Sequence, residues 1–434
     1  MDETSPILDL PDLDLPDLDL VVRGGRVVDP SQDIDGMLDV GVVDGRIAAL
    51  APDLPTAPTT EVVDAAGAIV TPGLVDLHTH VFAHATGFGL DVDDAGVNAG
   101  VTTIVDMGST GTWFFPTFKA YVIDTAATDV VAFLMMGYVG ATWRVGGPAI
   151  LNPDWADAQS LAVVHEQFPD LVRGFKTWGE SGSTSLWGYR FLHMGREAGD
   201  ITGLPLYIHT GELYPVDESN RPDPATIMPE VLANAKPGDV LGHCYSAMPD
   251  GILGGADGPS PELLDAVASG VRLDVGHGIN FSFEVAKRMM DGGALPFTIS
   301  SDCHASLAGM HDDTTCSYSL VGTMSKLLAL GMDLTDVVRC STQHPAIVIG
   351  KDDEIGTLRV GTRADVTVLE PRREPWTFVD PCGGTLDAAE RLVPTMVLRA
   401  GRPIAPSGRM LRDVLVPADR GEEHLAVAVG GHPR

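Results

Sequence analysis

Histidine, lysine and aspartate recur near the ends of apolar segments in the middle of the chain. The first pair, His78 and His80, ends the segment GLVDLHTH (73–80). In a β-strand, residues i and i+2 face the same side, so both imidazoles point the same way. Later segments contribute, in chain order, Lys176, His209, His243, His277 and Asp302. Imidazole and carboxylate ligands favour zinc or another divalent first-row metal, with an open coordination position for water.

Lys176 lies in an apolar segment, LVRGFKTW (171–178), where burial of an unpaired ammonium group is unfavourable. If two metal ions lie nearby, their charge favours the neutral amine of a buried lysine over its ammonium form. The neutral amine can react with carbon dioxide to form a carbamate. The carbamate is a bidentate anion that can bridge two metal ions. The alternative is a lysine whose ammonium group extends to solvent at the mouth of a barrel or pairs with Glu180 or Glu212.

Eight apolar segments of strand length alternate with helical stretches between residues 73 and 345, which is typical of repeated βα units and a parallel sheet. From Lys176 to Asp302, the successive lysine, histidine and aspartate residues named above are 33, 34, 34 and 25 positions apart, about one βα unit each. We therefore predict an α/β fold of the (β/α)8 TIM-barrel type, whose active site lies at the C-terminal strand ends. The predicted strands are GLVDLHTH (73–80), VTTIVDMG (101–108), VVAFLMMGY (130–138), LVRGFKTW (171–178), LPLYIHTG (204–211), DVLGHC (239–244), VRLDVGHG (271–278) and FTISSDCH (297–304).

Short alternating strands with turn signals occur at both ends of the chain and predict one small β-sandwich assembled from both termini. Gly24-Gly25 and Asp44-Gly45 are typical of hairpin turns. The first residues repeat Leu and Asp with regular prolines, which favours a flexible acidic tail over a short edge strand. The predicted domains are an acidic tail (1–18), the composite β-sandwich (19–72 plus 350–412), the barrel (73–349) and a C-terminal tail (413–434).

The chain of 434 residues is strongly acidic, with a formal net charge of −32. This charge argues against nucleic-acid and anionic-membrane partners, which bind basic surfaces. No apolar run approaches the ~20 residues of a membrane span, and the N-terminus is acidic where a signal peptide would be basic. The five cysteines form neither a CxxC pair nor a disulfide framework. We expect a cytoplasmic homo-oligomer that acts on a small-molecule substrate.

Five short motifs, PGLVDLHTH, GFK, YIHTG, LGHC and SSDCH, occur in this order and resemble the amidohydrolase superfamily. Specifically, they resemble its members with a binuclear site bridged by a carboxylated lysine. The segments NAGVTTIVDMGSTG and HPAIVIGKDDEIGTLRVGTRADVTVLE are also typical of it, so the resemblance covers nearly the whole chain. LDVGHGINFSFEVAKRM followed by SSDCH is similar to the dihydroorotase-like branch of amidohydrolase/deacetylase metallohydrolases, which includes hydrolases of acetylated α-hydroxy acids.

The resemblance implies two divalent metal ions, most simply Zn2+, bridged by a carbamate that Lys176 forms with CO2. A hydroxide shared by both metals would attack the substrate, since two metals lower the pKa of bridging water and one polarises the scissile carbonyl. Asp302 would be both a ligand and the catalytic base that passes the proton to the leaving group. The implied ligands are His78, His80 and Asp302 for the more buried metal, and His209 and His243 for the other.

Five further residues near predicted strand ends are candidates for substrate binding. Trp113, Tyr138 and Trp178 would either line an aromatic pocket or pack at the barrel rim. His277 and His304 would either donate hydrogen bonds to the substrate or contact a metal ligand.

The sequence therefore predicts a metal-dependent amidohydrolase or deacetylase that cleaves an amide or ester of a small acylated carboxylic acid. The substrate would be an N-acyl amino acid or an O-acyl hydroxy acid. A cyclic amidase of the dihydroorotase or hydantoinase type uses the same metals and stays open. Two further hypotheses fit the sequence less well. A mononuclear deaminase would leave the lysine on the fourth strand without a role, and a non-catalytic scaffold would leave the complete ligand set without one.

Overall fold

The protein is described by a computed structural model, which covers residues 17–141, 153–213, 219–254, 256–304 and 319–407. Nearly all of the predicted acidic tail and the whole C-terminal tail lie outside these residues. The strands are β1 (Leu20–Asp29), β2 (Ile34–Val43), β3 (Arg46–Ala51), β4 (Glu61–Asp64), β5 (Ile69–Pro72), β6 (Leu74–Thr79), β7 (Val101–Met107), β8 (Asp129–Met135), β9 (Val172–Gly179), β10 (Leu206–Thr210), β11 (Val240–Gly242), β12 (Arg272–Leu273), β13 (Val366–Arg372), β14 (Trp376–Val379), β15 (Thr385–Ala388), β16 (Arg391–Arg399) and β17 (Arg402–Ile404).

Several helices begin after residues that favour helix N-termini. Asp157 and Ser282 cap two of them by accepting hydrogen bonds from backbone N–H groups, and Ser260 caps a third that begins with Pro261. The helices are α1 (Val92–Ala95), α2 (Phe115–Tyr121), α3 (Ala158–Gln167), α4 (Ser181–Trp187), α5 (Arg190–Thr202), α6 (Pro224–Asn234), α7 (Pro261–Ala268), α8 (Phe283–Asp291), α9 (Leu320–Ala329), α10 (Leu334–Ser341) and α11 (Gln343–Val348).

Seven parallel strands form the barrel wall in the order β12-β11-β10-β9-β8-β7-β6. The predicted eighth strand, 297–304, is not a continuous strand, which corrects that part of the prediction. It closes the barrel through two isolated parallel bridges, Thr298 with Asp274 and Cys303 with Thr79. Asp302 has a φ of 49°, in the left-handed region, so the backbone leaves the extended conformation at that residue. The predicted (β/α)8 architecture is confirmed with this change.

Strands from both ends of the chain form a second sheet, in the order β17-β16-β13-β5-β1-β2-β3 with β4 also paired to β1. The prediction of an additional β domain built from the chain ends is therefore confirmed, while its exact limits stay a prediction. Asp44 and Gly45 make the predicted tight turn between β2 and β3, with φ values of 49° and 71°. Gly24-Gly25 is instead a bulge inside β1, because the register with β2 shifts between Val22 and Gly25.

The largest hydrophobic cluster lies between the barrel wall and its helices, and a separate cluster fills the barrel interior. The interior cluster includes Val75, Phe133 and Val240 from the strands and Ala346 and Val348 from α11. These apolar side chains make the barrel a packed core rather than a channel. The polar candidate residues are therefore held on a rigid apolar support.

Candidate metal centre

Six sequence-predicted residues converge at the C-terminal ends of the barrel strands. Three of them form the tightest group, because Nε2 of His78 and Nε2 of His80 lie 3.2 and 3.3 Å from the same Asp302 oxygen, Oδ1. Their ligand atoms all lie within 4.8 Å of one another, which is a spacing that one metal ion can bridge. The closure of the barrel brings this group together, since Asp302 donates its backbone N–H to the His78 carbonyl at 2.7 Å.

Lys176 lies beside this group, with its Nζ 3.5 Å from Nε2 of His78 and 4.1 Å from the centre of the Tyr207 ring. Its side chain is 3% exposed, so it does not extend to solvent. Burial lowers the pKa of Lys176 to about 7, against a partial opposing effect of the Asp302 charge. A large share of this lysine is therefore a neutral amine near neutral pH.

The carboxylates that the sequence offers as partners of Lys176 are bonded elsewhere. Glu180 caps α4, accepting hydrogen bonds from the backbone N–H groups of Gly182 and Ser183 at 2.5 and 2.6 Å. Glu212 forms an ion pair with Arg221. Within the described residues, the alternative in which Lys176 pairs with either glutamate is wrong.

His209 and His243 lie side by side, next to His78. Their ring centres are 4.2 Å apart, and the His243 ring is 5.1 Å from that of His78. Nδ1 of His243 donates to the Gly276 carbonyl at 2.6 Å, which leaves the lone pair on Nε2. Burial lowers the pKa of His243 to about 4, so the ring is neutral and able to bind a cation.

The donor atoms of the site fit a divalent cation. Nε2 of His243 and Oδ1 of Asp302 are buried and have no hydrogen-bond partner among the described residues. Buried polar atoms are nearly always paired. Two buried acceptors without hydrogen bonds in one site are therefore what a bound cation would satisfy. Burial, reinforced by the Lys176 charge, also holds the pKa of His78 well below its ordinary value and keeps this ring a neutral donor.

A buried hydrogen-bonded chain supports His78 from behind. Nδ1 of His78 lies 2.8 Å from the Tyr207 hydroxyl, which donates to Oδ2 of Asp274 at 2.7 Å. Thr298 and Ser300 also donate to the Asp274 carboxylate, at 2.6 and 2.5 Å. An acceptor on the rear nitrogen of a metal-binding histidine fixes its tautomer and its orientation.

Similar supports hold the other side of the His-His-Asp group. The hydroxyl of Ser301 donates to Asp76 at 2.6 Å, which positions the residue just before Asp302. Nδ1 of His80 lies 3.1 Å from the Ser109 hydroxyl, and Ser109 in turn donates its backbone N–H to Asp106 at 2.9 Å. Burial raises the pKa of Asp76 to about 7. The His-His-Asp group is thus supported from behind by buried hydrogen bonds.

Sequence reasoning missed Tyr207 and Asp274, although each had a weak signal. Tyr207 stands two residues before His209 in β10 and therefore shares its face of the strand. Asp274 directly follows β12, at the catalytic end of the barrel. Which histidine each of them supports depends on barrel closure, which the sequence pattern does not contain.

A glycine makes room for the Asp302 carboxylate. A Cβ atom on Gly278 would lie 2.3 Å from Oδ2 of Asp302, and Gly278 has a φ of 43°. Both the contact and the backbone conformation exclude a larger residue without a shift. The loop after β12 therefore packs directly against the aspartate.

The predicted substrate-binding residues occupy different environments. The Trp113 ring stacks on Tyr138 at 4.9 Å and is 61% exposed, whereas Trp178 is buried in the core beside Phe191. The His304 ring lies 6.0 Å from that of His80. His277 is fully buried, with Nδ1 3.1 Å from the Gly278 carbonyl and Nε2 2.8 Å from Nζ of Lys326. Substrate contact by these five residues stays a prediction.

Sequence comparison identifies the family of the chain. Two profiles of the Amidohydrolase family match residues 281–401 and 61–143. The chain is 33% identical over 332 residues to "Deacetylase Atu3266" of Agrobacterium fabrum, covering 75% of this chain and 76% of the relative. The chain belongs to the amidohydrolase superfamily.

Solved structures place this amidohydrolase in the dihydroorotase-like branch. A dihydroorotase crystal structure has 29% sequence identity and a TM-score of 0.77, covering 89% of this chain and 97% of that chain. An adenine deaminase structure has 26% identity and the same TM-score of 0.77, over 90% and 100% of the two chains. The superfamily, the branch and the hydrolase class predicted from the sequence are confirmed.

Amidohydrolases generally use a metal centre, and the His-His-Asp group of this amidohydrolase is compatible with one. The chain is therefore a metal-dependent amidohydrolase. Among the described residues, no helix is both long enough and apolar enough to span a bilayer.

Proposed function

We propose that this chain is a binuclear metal hydrolase that cleaves the amide or ester bond of a small acylated carboxylic acid. The substrate would be an N-acyl amino acid or an O-acyl hydroxy acid. The main support is the placement of the buried Lys176 amine 3.5 Å from a histidine that also contacts Asp302. In that position, the Lys176 amine would be the precursor of an anion that bridges two metal ions.

The ligand residues divide into two groups around Lys176. His78, His80 and Asp302 would hold one ion, and His209 and His243 would hold the other. Lys176 would contribute a carbamate between them: its neutral amine forms an N–C bond with CO2 and loses one proton. Zinc suits this set of imidazole and carboxylate oxygen donors. When bound, the two ions supply activation of water and polarisation of the scissile carbonyl.

Asp302 would perform the proton transfers. Its carboxylate faces both imidazoles through Oδ1, while Oδ2 lies against the loop that contains Gly278. We assign it the acceptance of the proton from the attacking water and its delivery to the leaving amine or alkoxide. A single carboxylate can serve both steps because the reaction needs one proton moved from one side of the carbonyl to the other.

The choice of substrate class rests on the relatives. The Agrobacterium fabrum protein is named a deacetylase, and this chain is similar to it over three quarters of its length. A cyclic amidase remains the second candidate, because the dihydroorotase structure shares 29% identity and nearly the whole fold. Both activities would hydrolyse a bond at a carbonyl with the same metals.

A substrate panel separates these candidates. The zinc-loaded enzyme would be assayed against N-acetyl amino acids, acetylated hydroxy acids, and cyclic imides or ureides. We expect the highest kcat/KM for a member of the first two groups. Preference for a cyclic compound would transfer the assignment to the cyclic amidase, and no hydrolysis with two metals bound would support a scaffold.

A further inference from the structure

A cavity of about 520 Å³ lies at the opposite end of the barrel from the proposed metal ligands. Its walls include the residues that precede β10 and β11 and the first residues of β9 and β12. A strand of five residues spans roughly 15 Å, so this cavity is separated from the catalytic end by about the length of the barrel wall. We name it the basal cavity.

The basal cavity concentrates positive charge in a chain whose net charge is −32. Its lining contains four cationic side chains, Arg173, Arg196, Lys236 and Arg272, and two carboxylates, Asp200 and Asp239. The cavity therefore has an excess of two positive charges while the molecule as a whole repels anions. Such a reversal of local charge focuses anions into a concave site.

Two of the four cations have carboxylate partners within the cavity wall. Arg196 bonds to Asp200 at 2.8 Å and to Asp239 at 2.5 Å, and Lys236 bonds to Asp200 at 2.6 Å. These pairs stabilise the wall itself. The remaining two cations are the ones available to a ligand.

Arg173 and Arg272 carry guanidinium donors that the described residues do not use. Arg173 has no ion pair or hydrogen bond with them, and its Nε is a buried atom without a partner. Among the described residues, the Arg272 guanidinium makes one long hydrogen bond, 3.4 Å, to the Gly238 carbonyl and stacks over the Phe297 ring at 4.9 Å. Burial also lowers the pKa of Arg272, against an opposing effect of the Asp239 charge.

We infer that the basal cavity is a binding site for a small phosphate-bearing anion. The forked donors of two guanidinium groups match the oxygens of a phosphate, and a dianion balances the two excess charges. Leu204, Pro237 and Ile347 give the cavity apolar walls, and its volume accommodates an organic group attached to the phosphate. The ligand class is therefore inorganic phosphate or a phosphate monoester.

Calorimetric titration of the metal-loaded full-length protein with inorganic phosphate, at constant ionic strength set by chloride, tests this site. We expect saturable binding in the millimolar range or tighter. Arg173→Gln and Arg272→Gln should each weaken it at least tenfold. Arg173→Gln breaks no ion pair, so it should keep the parent's circular dichroism and Tm even if Arg272→Gln fails to fold. The control is Arg373→Gln, whose side chain is 84% exposed and lies just after β13 of the other sheet, and it should bind phosphate like the parent.

Phosphate bound at the metal centre would be a different event, and a His78→Ala variant distinguishes the two. Loss of a metal ligand should leave binding in the basal cavity intact. Binding that disappears with His78, that is unchanged in Arg173→Gln, or that is absent at millimolar phosphate overturns the inference. None of these outcomes bears on the substrate panel, so the two proposals can fail separately.

Discussion

At the scale of single residues, the Tyr207 hydroxyl joins the proposed metal ligand His78 to the buried Asp274 carboxylate. Tyr207→Phe removes this link and leaves Thr298 and Ser300 bonded to Asp274, so the fold should persist. We expect metal affinity to fall about 10- to 100-fold, because the imidazole loses the partner that fixes its tautomer. Competition with a chelator measures it. Tyr245→Phe is the control, since the hydroxyl of that buried tyrosine has one hydrogen-bond partner among the described residues, the Ala294 carbonyl; an equal loss there would contradict a specific role.

Lys176 gives the sharpest test of the carbamate. Lys176→Ala should lose activity and metal affinity together, and short carboxylic acids should restore part of both by occupying the vacated bridge. Alkylamines should not restore either. The outcome that rejects the carbamate is the reverse: metals retained in the alanine variant, with rescue by amines.

Lys326 provides a matched control for that rescue. It is also fully buried, its pKa is likewise lowered to about 7 by burial, and it contacts His277 rather than a proposed metal ligand. Lys326→Ala should therefore show no response to carboxylic acids. A response would mean that the acids act on the protein in general.

The proposed proton transfers depend on Asp302. Asp302→Asn should keep the fold and lose several orders of magnitude in kcat, because an amide accepts no proton and binds metal poorly. Steady-state kinetics of the metal-loaded variant provide the measurement. A variant within tenfold of the parent would remove Asp302 from this role.

At the scale of elements, the sequence predicted which segments bring the six candidate residues to one end of the barrel, because strand ends and barrel periodicity are local patterns. It predicted neither the irregular path at 297–304 nor the bulge at Gly24-Gly25. In the first, Thr298, Ser300 and Ser301 direct their hydroxyls to Asp274 and Asp76, contacts that exist only once the barrel has closed. In the second, a glycine pair fits a hairpin and a bulge equally well, and pairing with β2 selects the bulge.

The N-terminus of α4 depends on a carboxylate that is almost fully buried, Glu180. Burial raises its pKa from an ordinary 4.5 to about 7, so folding takes up a proton between those values. The contribution of protonated Glu180 to the free energy of unfolding is fully present below about pH 4.5 and is lost as the pH rises through 7. Glu180→Gln cannot ionise and should flatten this decline in the free energy of unfolding.

Denaturant melts of parent and Glu180→Gln across pH 4.5 to 7.5 measure the effect as the difference between the two curves. Glu284→Gln, on the exposed side of α8, should give a curve parallel to the parent. Parallel curves for Glu180→Gln as well would show that this carboxyl group titrates alike in the folded and unfolded chains.

At the scale of the whole molecule, the proposed ligands come from strands that are distant in sequence, so a bound metal ion would help to hold the barrel closed. The His-His-Asp group, for example, spans β6 and the segment that completes the barrel, alongside the Thr79–Cys303 bridge. A ligand that binds only the folded state adds to its stability in proportion to its occupancy. Removal of metal by a chelator should therefore lower Tm, and zinc should restore it.

The number of ions per chain decides between a binuclear and a mononuclear centre. We expect close to two equivalents of zinc by elemental analysis of the metal-replete protein, because the converging ligands are too many for one tetrahedral ion. His209→Ala should lower the count toward one, since His78, His80 and Asp302 remain to hold a single ion. A parent that binds one equivalent or less would contradict the binuclear centre, and a His209→Ala variant that still binds two would remove that histidine from the ligand set.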